Sequence, residues 1–437
     1  MNKQSKYNYF VPYKYKVIYY NGMTRNSILL SQQEHTKIQE QFADPISFEL
    51  GFPTVFEQFK DWGFFVDEAI DELDMFRYRE NLNKWQNRNF HLVVVTNFDT
   101  NLGFPYYIEP LNRNRMPDFL TVLKKHIQQM INCEKISSIC IEWTGGESLL
   151  NFDDFIEPVV KYTRKSCLKA GVPFHCQIET NGTLLNNHII EKCKALDIAC
   201  FKIKLIGNEA KHDKVLHEKG LPTFRLICNN IKQLCLQIPT CFVFLTFESS
   251  INKYDSELKQ LASFFPLKIR NQIRINLQIS TIDTLENAIQ KTINFKYKLI
   301  EKALGFNQNM VDNEQNWKEL IYHRDFQHTL IFNGEVHSGT TTITSSKDSI
   351  GTMLSEKGEI KWDIQKRSKL LGSRWYENEW CLNCNYLPLL SEICHRRSLP
   401  FGGTKHSIER TCILKTKQFS VDSIVVADYQ AKELKVL

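Results

Sequence analysis

The chain has 437 residues, of which 42% are hydrophobic and 24% charged. This length allows two or three domains with a large core, and the composition is that of an ordinary soluble globular protein. The net charge of +6 is spread along the chain, which does not indicate nucleic-acid binding. No apolar run reaches the roughly 18–20 residues that cross a bilayer, and the N-terminus lacks the features of a signal peptide. We therefore expect a cytoplasmic protein that binds neither nucleic acid nor membrane.

Residues 1–90 are predicted to form a small N-terminal module. Two strand-like runs, 15–20 and 27–30, flank an Asn-Gly turn. Helices are predicted over 31–42, 53–60 and 69–86, with a strand over 63–68 before the last helix. This order is typical of a winged-helix-like module, which can accept a peptide as an added strand at a sheet edge. The alternative is a structural N-terminal extension.

From residue 91 to about 280, predicted strands and helices alternate. The strands are apolar and rich in β-branched residues, and they cover 91–97, 137–143, 174–181, 199–206, 240–247 and 272–279. The helices between them cover 115–132, 152–170, 186–196, 224–237 and 253–264. Alternation of this kind predicts an α/β fold with a parallel sheet or a partial barrel, whose chemistry is expected in the loops after the strands. Residues 281–330 are predicted to be largely helical.

After residue 330, short strands and turns precede a segment that contains the last four of thirteen cysteines. The other nine lie between Cys133 and Cys241, mostly in apolar strand or helix patterns, and are predicted to be core residues. In a reducing compartment, thiols or metal ligands are expected rather than disulfides. A Cys-x-x-Cys pair with two further cysteines downstream can hold zinc tetrahedrally. The alternative is a small core of reduced thiols.

Four loops carry a distinctive set of residues in a fixed order. They are the first loop, 96–109 (TNFDTNLGFPYYIE), the second, 143–150 (WTGGESLL), the third, 179–185 (ETNGTLL), and the fourth, 204–207 (KLIG). Together they resemble the radical S-adenosylmethionine (radical SAM) enzymes with a C-terminal SPASM domain that mature ribosomally made peptides. That family places CNLxCxYC, GGEPLL, TNGTLL and an SLDG-like turn after the same four strands. The resemblance extends from about residue 10 to 415, and the ordered set is far more specific than one Gly-Gly-Glu turn.

The resemblance implies a three-part organisation. Residues 1–90 would be a winged-helix-like peptide-recognition module, 91–330 a partial (β/α)6 barrel of the radical SAM type, and 331–437 a degenerate SPASM-like metal-binding domain. By the same resemblance, Gly145, Gly146 and Glu147 match the family's contacts to the amino group of S-adenosylmethionine. The alternative for these residues is a retained turn whose glycines permit close packing.

The residues that hold the catalytic cluster in that family are replaced here. Its three cluster cysteines fall on Thr100, Phe104 and Tyr107, whereas an iron–sulfur cluster requires thiolates. In the fourth loop, Lys204 and Ile206 stand where the family usually has Ser and Asp. We therefore predict that reductive cleavage of S-adenosylmethionine does not occur, and we assign no catalytic residue.

The C-terminal segment resembles a reduced SPASM core. Its third core cysteine is replaced by Leu390, and the family's two upstream cysteines fall on Gly339 and Glu356. The remaining candidate metal ligands are Cys381, Cys384, Cys394 and Cys412. They predict a site for zinc or for one iron–sulfur cluster.

These observations favour a cluster-less protein that binds a ribosomal precursor peptide. It would present the peptide to a partner such as an ATP-grasp ligase, as the resemblance to grasp-with-spasm systems implies. One alternative is an active peptide-modifying enzyme that uses the SPASM metal site, or S-adenosylmethionine without the radical cluster. Another is a structural subunit of a heterodimer with an intact radical SAM enzyme.

Overall fold

A computed structural model describes residues 1–86, 88–103, 114–250, 252–279, 300–307, 326–339, 343, 345–372, 374–398, 412, 414 and 421–436. The chain divides into two compact units. The first contains Met1–Trp85 and Gly372–Leu437, and the second contains Gln86–Ile282 and Tyr297–Leu371. The predicted division at residues 90 and 330 follows sequence order and stays a prediction.

The first unit begins with five short strands. They are β1 (Asn2–Gln4), β2 (Asn8–Tyr13), β3 (Lys16–Asn21), β4 (Ser27–Ser31) and β5 (Phe65–Asp67). Strands β2, β3 and β4 form an antiparallel sheet with β3 in the centre, and β1 pairs with β5. The predicted strands at 15–20, 27–30 and 63–68 are confirmed. The sequence analysis missed β1 and β2; β2 contains Pro12, a residue that sheets tolerate at their edges.

Four helices follow, three of them predicted from the sequence and one, over residues 45–51, not predicted. They are α1 (Gln32–Ala43), α2 (Pro45–Gly51), α3 (Pro53–Asp61) and α4 (Glu72–Trp85). Ser31 is the N-cap of helix α1, and its side chain and that of Glu34 form a reciprocal capping box. The buried phenylalanines of this region pack on one face of the sheet against Val17, Tyr19 and Leu30. They are Phe42, Phe48, Phe56, Phe59, Phe64 and Phe65.

The second unit is built on a ten-stranded sheet of order β13-β12-β9-β8-β7-β6-β14-β15-β16-β17. Its parallel strands are β6 (Asn89–Val95), β7 (Ser138–Thr144), β8 (Phe174–Thr180), β9 (Cys200–Ile206), β12 (Phe242–Ser249), β13 (Ile273–Ile279) and β14 (Gln327–Ile331). Antiparallel strands β15 (Glu335–His337), β16 (Gly351–Met353) and β17 (Ile360–Trp362) extend one edge. A separate two-stranded hairpin consists of β10 (His217–Glu218) and β11 (Leu221–Pro222). All six predicted barrel strands are confirmed, with ends shifted by two residues at most.

Helices connect the parallel strands. They are α5 (Phe119–Ile131), α6 (Glu157–Ala170), α7 (Asn187–Ala195), α8 (Glu209–Val215), α9 (Phe224–Gln237), α10 (Tyr254–Ser263) and α11 (Leu267–Arg270). A further helix, α12 (Ile364–Gly372), follows β17. The predicted α/β fold class with a mostly parallel sheet is confirmed. Most of the segment 281–330, predicted to be helical, lies outside the described residues.

Each parallel strand presents two different faces. In β7, Ile139, Ile141 and Trp143 are fully buried, and Trp143 meets Phe155 beside α6. The alternating residues Glu142 and Thr144 point to the opposite face. The helices therefore cover an apolar face, and the other face of the sheet carries polar side chains.

The C-terminal residues of the first unit complete the core of the N-terminal module. They form α13 (Glu379–Leu382), α14 (Leu387–Ser398) and α15 (Val421–Val436). On the sheet face opposite the phenylalanines, Ile18 and Tyr20 pack with Leu389, Ile424 and Val425. The Tyr20 hydroxyl also donates a hydrogen bond to Asp428 in α15 (2.6 Å). Elements about 400 residues apart in sequence thus share one core.

Candidate functional site

The first and second loops are in backbone contact where β6 and β7 end. The N–H of Gly146 donates to the carbonyl of Asn97 (3.1 Å), and the N–H of Glu147 donates to that of Asp99 (2.7 Å). A Cβ on Gly146 would lie 2.2 Å from the Asp99 oxygen, and one on Gly145 would lie 2.6 Å from the Asn97 oxygen. Only glycine permits this approach.

The Glu147 carboxylate joins the second loop to the third. The side chain is 1% exposed. Its Oε1 accepts from the Leu149 N–H (2.9 Å) and the Thr180 hydroxyl (2.7 Å), and its Oε2 accepts from the Asn181 N–H (2.7 Å). Burial raises the pKa of Glu147, an effect that these hydrogen bonds oppose. Both carboxylate oxygens are therefore used to hold neighbouring backbone.

Asn97 strengthens the same junction from the first loop. Its amide nitrogen donates to the Glu147 carbonyl (3.0 Å) and to Asn151 (2.5 Å). Further along the loop, Thr100 accepts a hydrogen bond from the Leu102 N–H (3.2 Å). Its hydroxyl thus stabilises a turn within the first loop. The other two replaced positions, Phe104 and Tyr107, lie outside the described residues.

A charged network occupies the polar face of the sheet. Glu142 is 3% exposed and bonds to Lys202 (2.5 Å) and Gln177 (2.7 Å), with His91 at 3.4 Å. Burial acts to raise the pKa of Glu142, but Lys202 and His91 together lower it to about 2. The carboxylate therefore stays ionised at neutral pH.

No role was predicted for Lys202, Lys204 or Glu179, and Glu142 was not singled out. In the structure, Lys204 pairs with Glu248 (3.0 Å), and Glu179 accepts from the Thr144 hydroxyl (2.7 Å). A usable signal was present, because polar residues recur at every second position of apolar strands such as β7.

His212 and Asp213 stabilise the segment between β9 and α9. His212 is fully buried and accepts from the Ile206 N–H (3.2 Å). Asp213 accepts from the N–H groups of Thr223 and Phe224, both at 2.8 Å, where α9 begins. Burial lowers the pKa of His212 to about 4.

Solved structures share this architecture. Native anSMEcpe with bound AdoMet and the Cp18Cys peptide aligns over 80% of this chain and 97% of its own, with a TM-score of 0.55 and 13% identity. Native anSMEcpe with bound AdoMet alone aligns over 79% and 96%, with a TM-score of 0.53 and 13% identity. The chain has the radical SAM fold.

Sequence comparison adds one short match. No family model matches the chain. Uncharacterized protein MJ0907 of Methanocaldococcus jannaschii is 36% identical over 108 residues, which are 25% of this chain. The matched stretch spans only 36% of the length of that relative.

The radical SAM fold is here combined with loops whose polar groups are already bonded to protein. At the residue that is predicted to match the family's first cluster cysteine, Thr100 offers a hydroxyl, a poor ligand for iron compared with a thiolate. The N–H groups of Gly146 and Glu147 bond to the first loop, and both Glu147 oxygens accept hydrogen bonds from the third. The first loop contains no cysteine and so offers no thiolate for a catalytic cluster. S-adenosylmethionine contacts at Gly145, Gly146 and Glu147 stay a prediction.

The four C-terminal cysteines lie in the first unit. Cys381 is buried with Tyr7 and Trp375, and Cys384 and Cys394 pack against the same core. Burial raises the pKa of the Cys384 thiol, and the nearby Cys412 raises it further. Among the described residues, no group of three or more His, Cys, Asp or Glu side chains is placed to hold a metal ion. The zinc or iron–sulfur site stays a prediction.

Within the described part of the chain, no helix combines the length and apolar character needed to span a bilayer.

Proposed function

We propose that this protein takes part in the maturation of a ribosomally synthesised peptide by binding the precursor without radical chemistry. In this role the first unit recognises the precursor, and a partner enzyme such as an ATP-grasp ligase modifies it. In the anSMEcpe structure with a bound peptide, a protein of this fold accommodates a peptide. The proposal rests on the backbone groups that strand β4 directs outward at the edge of the N-terminal sheet.

Strand β4 has a hydrogen-bonded neighbour on one side within the described sheet. The Asn21 N–H donates to the Asn26 carbonyl (2.9 Å), so Asn21 and Asn26 form a hydrogen-bonded pair. In an antiparallel ladder such pairs alternate with non-bonded ones. From the register, Ile28 and Leu30 direct their backbone groups to β3, whereas Ser27 and Leu29 direct theirs outward. The Ser31 N–H already donates to the Glu34 carboxylate in the capping box of α1 (2.7 Å).

This outward row fits a peptide in an extended conformation. Both faces of the sheet are covered, one by the phenylalanine core and the other by residues of α14 and α15. An added strand therefore has backbone groups to pair with at the β4 edge. Such pairing supplies affinity through main-chain bonds and specificity through alternate side chains.

Binding of a fluorescently labelled precursor, followed by anisotropy, tests the proposal. We expect a Kd below about 100 µM and weaker binding of a scrambled leader. Ser27→Pro removes one outward N–H at the start of the strand and should weaken binding about tenfold. Ser27→Ala keeps the N–H and serves as the matched control. Equal affinity for the scrambled leader, or equal effects of the two variants, would contradict the proposal.

The partner step needs a separate measurement. Intact-mass analysis of the precursor, incubated with the candidate ligase with and without this protein, should show modification that depends on both. Turnover by this protein alone would instead support the alternative of an active enzyme. Stable association with an intact radical SAM enzyme, without precursor binding, would support the structural-subunit alternative.

Metal analysis of aerobically purified protein tests the predicted site at Cys381, Cys384, Cys394 and Cys412. If the sequence prediction is correct, we expect about one equivalent of zinc, or the iron of one cluster. Less than about a tenth of an equivalent of either metal would exclude a resident metal and favour a core of reduced thiols. Peptide binding does not depend on this outcome.

A further inference from the structure

A short hairpin contacts the first loop at Asn101 and Gly103, whereas the second loop contacts Asn97 and Asp99. It consists of β10 and β11, joined by Lys219 and Gly220, which both have positive φ (50° and 85°). Two such residues in succession make the turn that suits the twist of a two-residue hairpin. The Gly220 N–H donates to His217 Nδ1 (3.0 Å), so the side chain of one strand stabilises the turn.

Two hydrogen bonds attach the hairpin to the first loop. The Gly103 N–H donates to the His217 carbonyl (2.8 Å), and the Asn101 amide donates to the Glu218 carboxylate (3.3 Å). Gly103 also allows close contact, because a Cβ at this position would lie 2.8 Å from His217 Cε1.

Asn101 bonds to the third loop at the same time. Its amide nitrogen donates to the Thr183 hydroxyl (2.8 Å), and its amide oxygen accepts from the Asn181 amide (2.9 Å). The Thr183 hydroxyl in turn donates to Asn181 Oδ1 (2.7 Å). One side chain therefore joins three segments, and its donor and acceptor atoms are both used.

We propose that Asn101 and the β10–β11 hairpin form a metal-free clasp that fixes residues 97–103 of the first loop. Coordination by three cysteines would fix such a loop through a cluster, whereas here hydrogen bonds to the hairpin and the third loop do so. Because these partners lie on separate segments, the clasp makes the order of the first loop depend on the rest of the second unit. The inference rests on the proposed function only in taking the first loop to be without a cluster.

Hydrogen exchange followed by mass spectrometry on the full chain tests the clasp. Asn101→Ala should speed exchange of residues 97–103 and of 217–222 together, by about tenfold. The control is Asn187→Ala, which removes an exposed side-chain acceptor of Gln237 in the same unit. Exchange that stays unchanged in Asn101→Ala, or that rises only within the first loop, would overturn the proposal.

Two further comparisons keep the test decisive. Gly103→Ala should speed exchange of the hairpin, whereas Gly51→Ala should not, because a Cβ at Gly51 meets no atom within 4 Å. A strong metal chelator should leave exchange of the first loop in the wild type unchanged; faster exchange would mean that a metal orders this loop. Failure of precursor binding with these exchange results intact would remove the proposed function and leave the clasp standing.

Discussion

At the scale of single residues, the Gly-Gly-Glu turn serves loop packing in this structure. Gly145 adopts a φ of +148°, and both glycines lie against the backbone of the first loop. Glu147 accepts hydrogen bonds from its own loop and from the third loop. Retention of the motif therefore has a structural reason that is independent of S-adenosylmethionine. The packing alternative for the glycines describes contacts that are present in the structure.

Gly146→Ala should destabilise the protein strongly. The new Cβ would meet backbone atoms of Asp99 and Phe98, which cannot rotate away as a flexible side chain can. We expect the free energy of unfolding from urea denaturation to fall by about 2–4 kcal/mol. Gly372→Ala, where a Cβ meets nothing within 4 Å, should change it by less than about 0.5 kcal/mol. A small effect at Gly146 would show that the first loop moves aside easily.

At the scale of elements, helix α15 packs on the N-terminal sheet and shares its core. Ile424 and Val425 are fully buried against β2 and β3, and Gln430 donates to the Tyr13 hydroxyl (2.9 Å). The same sheet carries the proposed peptide-binding edge at β4. Peptide recognition by the N-terminal residues therefore requires the C-terminal residues to be folded.

Ile424→Ala tests this dependence. Removing the buried side chain leaves a cavity between α15 and the sheet, which should lower the stability of the first unit by about 2–4 kcal/mol. Ile364→Ala, at a site 69% exposed, is the matched control and should be nearly neutral. Thermal unfolding followed by tyrosine and tryptophan fluorescence measures both. Equal midpoints for the two variants would argue against a shared core.

At the scale of the whole molecule, three buried imidazoles make stability depend on pH. Burial lowers the pKa of His126 to about 4, against a hydrogen bond with the Gly358 carbonyl, and lowers that of His328 well below its ordinary value. Their Nε2 atoms are 3.2 Å apart, so only one can donate to the other. His212 is similarly shifted, to about 4. The folded state therefore resists protonation that the unfolded chain accepts.

Stability should consequently be highest above the ordinary histidine pKa and should fall as pH drops from about 6.5 toward 4. Each of these groups contributes a slope of up to about 1.4 kcal/mol per pH unit in that window. Urea denaturation at pH 7, 6 and 5 measures the slope. His212→Gln should reduce it; an unchanged slope would assign the effect to other groups. Glu142, with a pKa of about 2, loses its contribution only below the ordinary glutamate range.

Much of the second unit could be predicted from the sequence because its signals are local. Each parallel strand is a short apolar run, and each intervening helix has its own periodicity and caps, such as Asn186 at the start of α7. The four loops follow in fixed order on those strands, so their meeting at one edge of the sheet follows from the topology. The roles of Glu142 and of the β10–β11 hairpin were missed, since they arise from contacts between segments far apart in sequence.

By itself, the sequence determined the α/β class, the order of strands and helices, and the absence of cysteine from residues 96–109. Only the tertiary structure showed that the glycines and Glu147 are used in loop contacts and that Asn101 joins three segments. It also showed that α15 packs on the N-terminal sheet. The physical reason is that periodicity and turn residues act over a few positions. Burial and hydrogen-bond partners depend on which distant segments the folded chain brings together.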